Sequence, residues 1–302
     1  MKNLVLVIHC TLQPGEAIRY NYTDDTDFYI IYNFNLLLRY IRKLLGVYQN
    51  ITVVLIYKQL HALLEATKLL YECSEAEKTE ERLEDYKLHY KRHLAQATAN
   101  QTNGVVNTDF EVRLPQGQAD RIFGFETIYV FDATGVQDHL LEANTGVQQL
   151  LRYLALKHGA YYGALSGKLK EFEDPNTCQL LVLSLKGGLK EGEQHIFSPN
   201  GEQVTDNIDL HQQLTLGWDL WTKIQMIARL IARREGWDLI DEEVKMDEFE
   251  DLYEAYIEGN PDDFVSKAKK LVDFEEEPPK PERPPPLTYD DAIKQLEAVL
   301  KK

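Results

Sequence analysis

Short runs of β-branched and aromatic residues recur along the chain, and helical patterns separate most of them. This alternation restricts the fold more than any other feature. The runs are LVLVIH (4–9), FYIIYNF (28–34), ITVVLIYK (51–58), TIYVFD (127–132), AYYGALS (160–166) and CQLLVLSL (178–185). Runs that stay apolar, instead of alternating with polar residues, belong to strands covered on both faces, the condition of a parallel sheet flanked by helices. Between them, LLLRYIRKLLGVY (36–48) and GVQQLLRYLALKHG (146–159) place apolar residues at three- and four-residue steps. In the second, Val147, Leu150, Leu151 and Leu154 share a face, and Gly159 stands at the capping position. The expected fold is α/β, a doubly wound and mostly parallel sheet.

The periodic segments fill residues 1–240, read as one domain, and 241–302 read as an acidic, proline-rich tail. SEAEKTEERLEDYKLHYKRHLA (74–95) interleaves Glu with Lys and Arg and predicts a charged helix. QATANQTNGVVNTD behind it reads as a flexible loop, so about 73–115 is expected to be an insertion hanging off the sheet. Pro199, Asn200 and Gly201 predict a hairpin or tight turn. LGWDLWTKIQMIARLIARREGWDLI (216–240) predicts an amphipathic helix with Leu220, Ile224, Ile227 and Ile231 along one side. EEEPPKPERPPP (275–286) is an extended linker. Beyond it Thr288 and Asp291 suit a capping box, and Ile293, Leu296, Val299 and Leu300 form an apolar stripe.

A net charge of −16 disfavours nucleic acid and anionic membrane, both polyanions, and favours a neutral or basic protein partner. Cys10, Cys73 and Cys178 are odd in number and scattered, which fits neither a disulfide framework nor a CxxC metal site and implies a reducing compartment. No apolar run approaches the roughly 20 residues of a membrane span, so membrane insertion is not expected.

Candidate chemistry is sparse. The first strand leads into Cys10, Thr11, Leu12, Gln13, Pro14, Gly15 and Glu16, where a phosphate loop would read GxxxxGK[ST]. Lone Gly15, the absent lysine, Pro14 without an N–H, and Glu16 with its negative charge all oppose phosphate binding. His9 and Cys10 are adjacent, hence on opposite faces of a strand, and cannot pair as base and nucleophile. His89 and His93, four apart, have metal-binding spacing, but a solvated helix face explains them better. Asp24, Asp25 and Asp27 lack the spacing of a calcium loop and read as a solvated turn.

The order of several segments resembles the dynein light intermediate chain family, in its short, fungal-type form. The segments are KNLVLVIHC (2–10), EKTEERLEDYKLHYKRHLAQ (77–96), VRLPQGQADRIFGFETIYVFDATGVQDHLLEA (112–143), GVQQLLRYLALKHGAYYGALS (146–166) and LGWDLWTKI (216–224). DDFVSKAKKLVDFEEE (262–277) is similar to the family's segment after the domain. The resemblance implies a P-loop GTPase-like (Ras-like) domain. Its phosphate loop is replaced by Cys10–Glu16, and its base-reading [NT]KxD motif falls on Ala133, Thr134, Gly135 and Val136. It therefore implies a pseudo-GTPase without cofactor or metal. It also implies a non-catalytic dynein subunit that binds the heavy-chain tail, with other dynein subunits and cargo adaptors as further partners. The expected setting is cytoplasmic and microtubule-associated, in microtubule-based transport or in spindle or nuclear positioning. Trp218, Trp221, Ile224, Ile231, Phe264 and Leu271 are the expected partner-binding residues. Competing readings are a nucleoside triphosphatase with an irregular phosphate site and a GTPase-like scaffold in another assembly.

Overall fold

Five of the six apolar runs form adjacent parallel strands. The structure, a computed structural model, describes residues 2–10, 16–58, 60–102, 111–115, 117–134, 145–167, 173–187, 208–214, 253 and 288–300. Its strands are β1 (Asn3–His9), β2 (Ile18–Tyr22), β3 (Thr26–Ile31), β4 (Ile51–Tyr57), β5 (Glu126–Asp132), β6 (Tyr161–Gly167) and β7 (Ile208–Leu214). They make one sheet in the order β2-β3-β1-β4-β5-β6-β7. The inner pairs β3–β1, β1–β4, β4–β5 and β5–β6 are parallel, and antiparallel β2 and β7 close the two edges. The α/β, mostly parallel architecture expected from the sequence is therefore observed. Strand order reverses about β1, with β3 on one side and β4 on the other, which sets the topological switch point at the carboxyl end of β1.

The described helices are α1 (Phe34–Val47), α2 (Leu60–Cys73), α3 (Ala76–Thr102), α4 (Thr145–His158), α5 (Pro175–Gly187) and α6 (Tyr289–Leu300). Alternation along the strands divides the core. Leu4, Leu6 and Ile8 of β1 face a layer that includes Leu37 and Ile41 of α1, Leu63 and Leu70 of α2 and Leu154 of α4. Val5 and Val7 face the opposite layer, with Tyr86 of α3 and Cys178, Leu181 and Leu185 of α5. Truncating a fully buried leucine such as Leu6 to alanine costs about 2–5 kcal/mol in cores of this kind.

CQLLVLSL departs from expectation: it is the body of α5, not a strand. Asp174 accepts from the backbone N–H of Thr177 at 2.9 Å, and Pro175 takes the first helical position, where its missing N–H costs nothing. Cys178, Leu181, Val182 and Leu185 then fall on one buried face. A short leucine-rich run has no periodicity of its own, so these start signals decide its conformation.

The charged segment is helical as expected, but it runs on to Thr102, through residues read as loop, and it does not hang free. Tyr86 and Tyr90, four apart, are buried, and Leu83 packs on the second layer. Gly124 lets the chain pass close to the start of α3, since a Cβ there would lie 2.8 Å from Lys78 Cβ. Gly159 caps α4 as expected: its φ is +58°, and its N–H donates to Leu156 O at 3.3 Å. The N–H groups of Ala119 and Arg121 satisfy the carbonyls of Leu156 and Lys157 at 2.9 and 3.0 Å, so the segment after Pro115 completes the helix end.

Thr288 and Asp291 form the expected cap, with the Asp291 N–H donating to Thr288 Oγ1 at 3.3 Å. Helix α6 is packed back on the domain against β2 and α1, with Ala292 buried and Leu296 and Val299 against the first core layer. The predicted turn at Pro199–Gly201 and the predicted helix at 216–240 lie outside the described residues.

Candidate functional site at the carboxyl edge of the sheet

Ligands of open α/β sheets bind beyond the carboxyl ends of the strands, at the switch point. A phosphate loop uses that place by following the first strand with about eight loop residues and then a helix whose N-terminus faces the phosphates. Here β1 ends at His9 and β2 begins at Ile18, leaving residues 10–17 between them. Eight residues cannot supply both the loop and the helix. Of this turn, Cys10 and Glu16 are described, whereas Thr11, Gln13, Pro14 and Gly15 lie outside the described residues.

What stands at this edge is an ion cluster. Arg19, from β2, donates from Nε and Nη2 to the two Glu16 carboxylate oxygens at 3.0 and 2.9 Å. Its Nη1 pairs with Glu173, just ahead of α5. Asn21 Nδ2 donates to the Glu173 carbonyl at 2.9 Å, so β2 grips this residue twice. The guanidinium lies 5.8 Å from the centre of the Tyr32 ring, and Tyr32 stacks on His9 at 5.0 Å. One cation thus serves two carboxylates, and the surplus charge is negative.

Histidine adds no positive charge near neutral pH. Burial pushes the His9 imidazole down to about 4, although Glu173 and Asp132 pull it upward; Arg19 adds to the downward push. Cys10 turns to the other core layer, away from His9, as strand alternation requires. Burial pushes its thiol up to about 12, the state of an inert cysteine.

At the base-reading position, Ala133 and Thr134 are occupied in holding the sheet together. The Ala133 N–H donates to Leu165 O at 2.7 Å, and Thr134 Oγ1 exchanges hydrogen bonds with the backbone of Gly167 at 3.1 Å. Asp132 Oδ1 accepts from the Thr134 N–H at 2.9 Å, which spends this carboxylate on a local turn. Gly135 and Val136 lie outside the described residues, as do Trp218, Trp221, Ile224, Ile231, Phe264 and Leu271.

One sequence reading changes here. Asp24 and Asp25 do form a solvated turn, but Asp27 is buried in β3 and accepts from Tyr48 at 2.7 Å, Tyr20 at 2.9 Å and Lys2 at 3.1 Å. Burial opposes its ionisation, yet these donors outweigh burial and hold its pKa below the usual value. Arg19 and Glu173 were not singled out from the sequence. The polar side of the alternation in IRYNY (18–22) was the available signal for Arg19, and nothing local marks Glu173. His89 is exposed on α3, and among the described residues no group of three or more His, Cys, Asp or Glu could hold a metal ion.

The architecture at this edge defines a doubly wound α/β domain whose switch point carries an anionic ion cluster. No protein-family model matches the chain, and no curated protein matches it in sequence. Among solved structures it is similar to the crystal structure of the dynein light intermediate chain's conserved domain. The identity is 17%, with 99% of this chain and 98% of that chain covered and a TM-score of 0.45.

Proposed function

We propose that this chain is a non-catalytic subunit of cytoplasmic dynein, a light intermediate chain whose GTPase-like domain has exchanged nucleotide binding for docking. The observation that carries the loss of nucleotide binding is the Arg19–Glu16–Glu173 cluster at the end of a connection too short for a phosphate loop and its helix. A triphosphate approaching the end of β1 meets two carboxylates and one arginine that is already engaged on both sides, while the nearby Lys58 ammonium is engaged by the Thr134 carbonyl at 3.1 Å, and the negative surplus of the cluster opposes it. The dynein assignment rests on the ordered sequence segments, from KNLVLVIHC through LGWDLWTKI to DDFVSKAKKLVDFEEE.

In this reading the domain binds the heavy-chain tail and stabilises the motor for microtubule-based transport or for spindle or nuclear positioning. Cargo adaptors and other dynein subunits are further partners. Trp218, Trp221, Ile224 and Ile231 supply the apolar anchors, with Phe264 and Leu271 laid along the same partner. Affinity purification of the tagged chain from cells, followed by mass spectrometry, tests this directly. A dynein heavy chain is expected in the wild-type sample and is expected to be lost from a Trp221→Asp/Ile224→Asp variant that still folds. Recovery without a heavy chain overturns the assignment. Recovery that the double variant leaves unchanged overturns only the choice of residues.

A further inference from the structure

Strand β2 is covered along only part of its length. Helix α6 packs on it and on α1, and Gln295 accepts from the Ala17 N–H just before the strand begins. The other end of β2 carries tyrosines. Tyr20 and Tyr22, two apart and so on one face, have ring centres 6.0 Å from each other. Tyr20 also meets Tyr29 at 4.9 Å, and Tyr29 meets Tyr40 of α1 at 5.9 Å. Tyr48, just past α1, joins the group through Asp27, which accepts from both the Tyr20 and the Tyr48 hydroxyl. Tyr22 is 67% exposed, and Val47, beside Tyr48, is 68% exposed.

This surface is rigid and has unused chemistry. Asp27 fixes two hydroxyls and the rings brace one another, so little side-chain freedom is left to lose when something covers them. The Tyr22 hydroxyl makes no hydrogen bond among the described residues. Asp24 and Asp25 follow in the turn and are exposed, and Asp24 has no ion pair or hydrogen bond among the described residues. Lys2 lies 5.4 Å from the centre of the Tyr22 ring, but its ammonium is engaged by Asp27 at 3.1 Å.

The chain contains a complement to this surface. In PPKPERPPP (278–286), Pro278, Pro281 and Pro284 recur every three residues, and so do Lys280 and Arg283. A polyproline II helix has three residues per turn, so each set forms a ridge of its own, apolar for the prolines and cationic for the other two.

We propose that the Tyr20 and Tyr22 surface receives the chain's own segment 278–286 as a polyproline II helix, with the proline ridge on the rings and Lys280 and Arg283 toward Asp24 and Asp25. Aromatic surfaces recognise proline-rich segments in this way because the ligand is preformed. Prolines have no N–H to strand against a ring, and their carbonyls, unused within the helix, can accept from the Tyr22 hydroxyl. The place where the segment ends favours this chain as its source. Leu287 joins it to Thr288 and to α6, which already lies on β2. Fully extended, residues 278–287 span roughly 28 Å, against roughly 17 Å for β2, so the tyrosines are within reach from either end of α6. A tether of that length raises the local concentration of the segment far above that of a free peptide. The proposal goes beyond the reading above and does not depend on it, because neither nucleotide nor a dynein heavy chain takes part.

Hydroxyl-radical footprinting of the full chain, read by mass spectrometry at Tyr22, tests it. Tyr22 is expected to oxidise several-fold faster in a Pro278→Ser/Pro281→Ser/Pro284→Ser variant than in the wild type. Lys280→Glu/Arg283→Glu and, from the other side of the contact, Asp24→Lys are each expected to raise the rate as well, with the thermal midpoint unchanged. Equal oxidation in the wild type and the proline variant overturns the proposal. Protection that grows with protein concentration places the segment of a second copy on the tyrosines and overturns docking within one chain. If the proline variant melts early, the Lys280→Glu/Arg283→Glu variant decides, and an unchanged rate there overturns the proposal.

Discussion

His9 shows how burial turns an ordinary residue into a pH-dependent one. Its folded pKa, about 4, lies below the ordinary 6.5 because burial disfavours the charged ring. Between these values the unfolded chain takes up a proton that the folded chain refuses. Stability is therefore complete above about pH 6.5 and falls as pH drops toward 4, by about 3 kcal/mol in total from this group. His9→Phe keeps the stack on Tyr32 and removes the titration, so urea denaturation across that pH window is expected to show a shallower loss than in the wild type. Identical pH slopes would show that His9 is not the group responsible. That His9 and Cys10 could not act together was legible in the sequence, because adjacent strand residues face apart. The burial of Asp27 was not, because three aspartates in four residues read as surface until Tyr20, Tyr48 and Lys2 are brought around one of them.

Among the elements, the inner strands could be read directly, since a run buried on both faces is apolar whatever its neighbours are. The two edge strands were missed for the converse reason. In β2 the sequence IRYNY gives Ile18 to the core and leaves Arg19, Tyr20 and Asn21 half-buried, which looks like loop when read alone. Helix α5 was mistaken for a strand because eight consecutive residues with five leucines and valines conceal their period. Helix α6 raises a question the sequence left open, whether this terminal segment is free. It lies on β2 and α1, and Gln295 accepts a hydrogen bond from the Ala17 N–H, immediately before β2. Leu296→Asp is expected to release it. Amide hydrogen exchange should then rise across Tyr289–Leu300 and in β2 while the inner strands stay protected. Exchange in β2 that does not respond would mean that α6 contributes nothing to that edge.

For the whole molecule, the fold is a doubly wound, mostly parallel sheet whose carboxyl edge at the switch point is filled by the chain's own contacts. The parallel strands and the switch point are present, because the buried core requires them irrespective of any ligand. The connection after β1 is short, Glu16 and Glu173 share Arg19, and Ala133 and Thr134 tie β5 to β6. CTLQPGE shows its single glycine and missing lysine on sight, but the shortness of the connection depends on β2, which does not read as a strand by itself. The ion cluster was not legible, because its members come from segments more than 150 residues apart and only the folded sheet brings them together.

Isothermal titration of the purified full chain with Mg·GTP and with Mg·GDP, alongside chromatography of the denatured protein for carried nucleotide, tests the central claim most directly. The account predicts no released nucleotide and no heat of binding at concentrations where a GTPase of ordinary affinity saturates. Nucleotide carried at near one per chain, or saturable binding that Arg19→Ala changes, would contradict it.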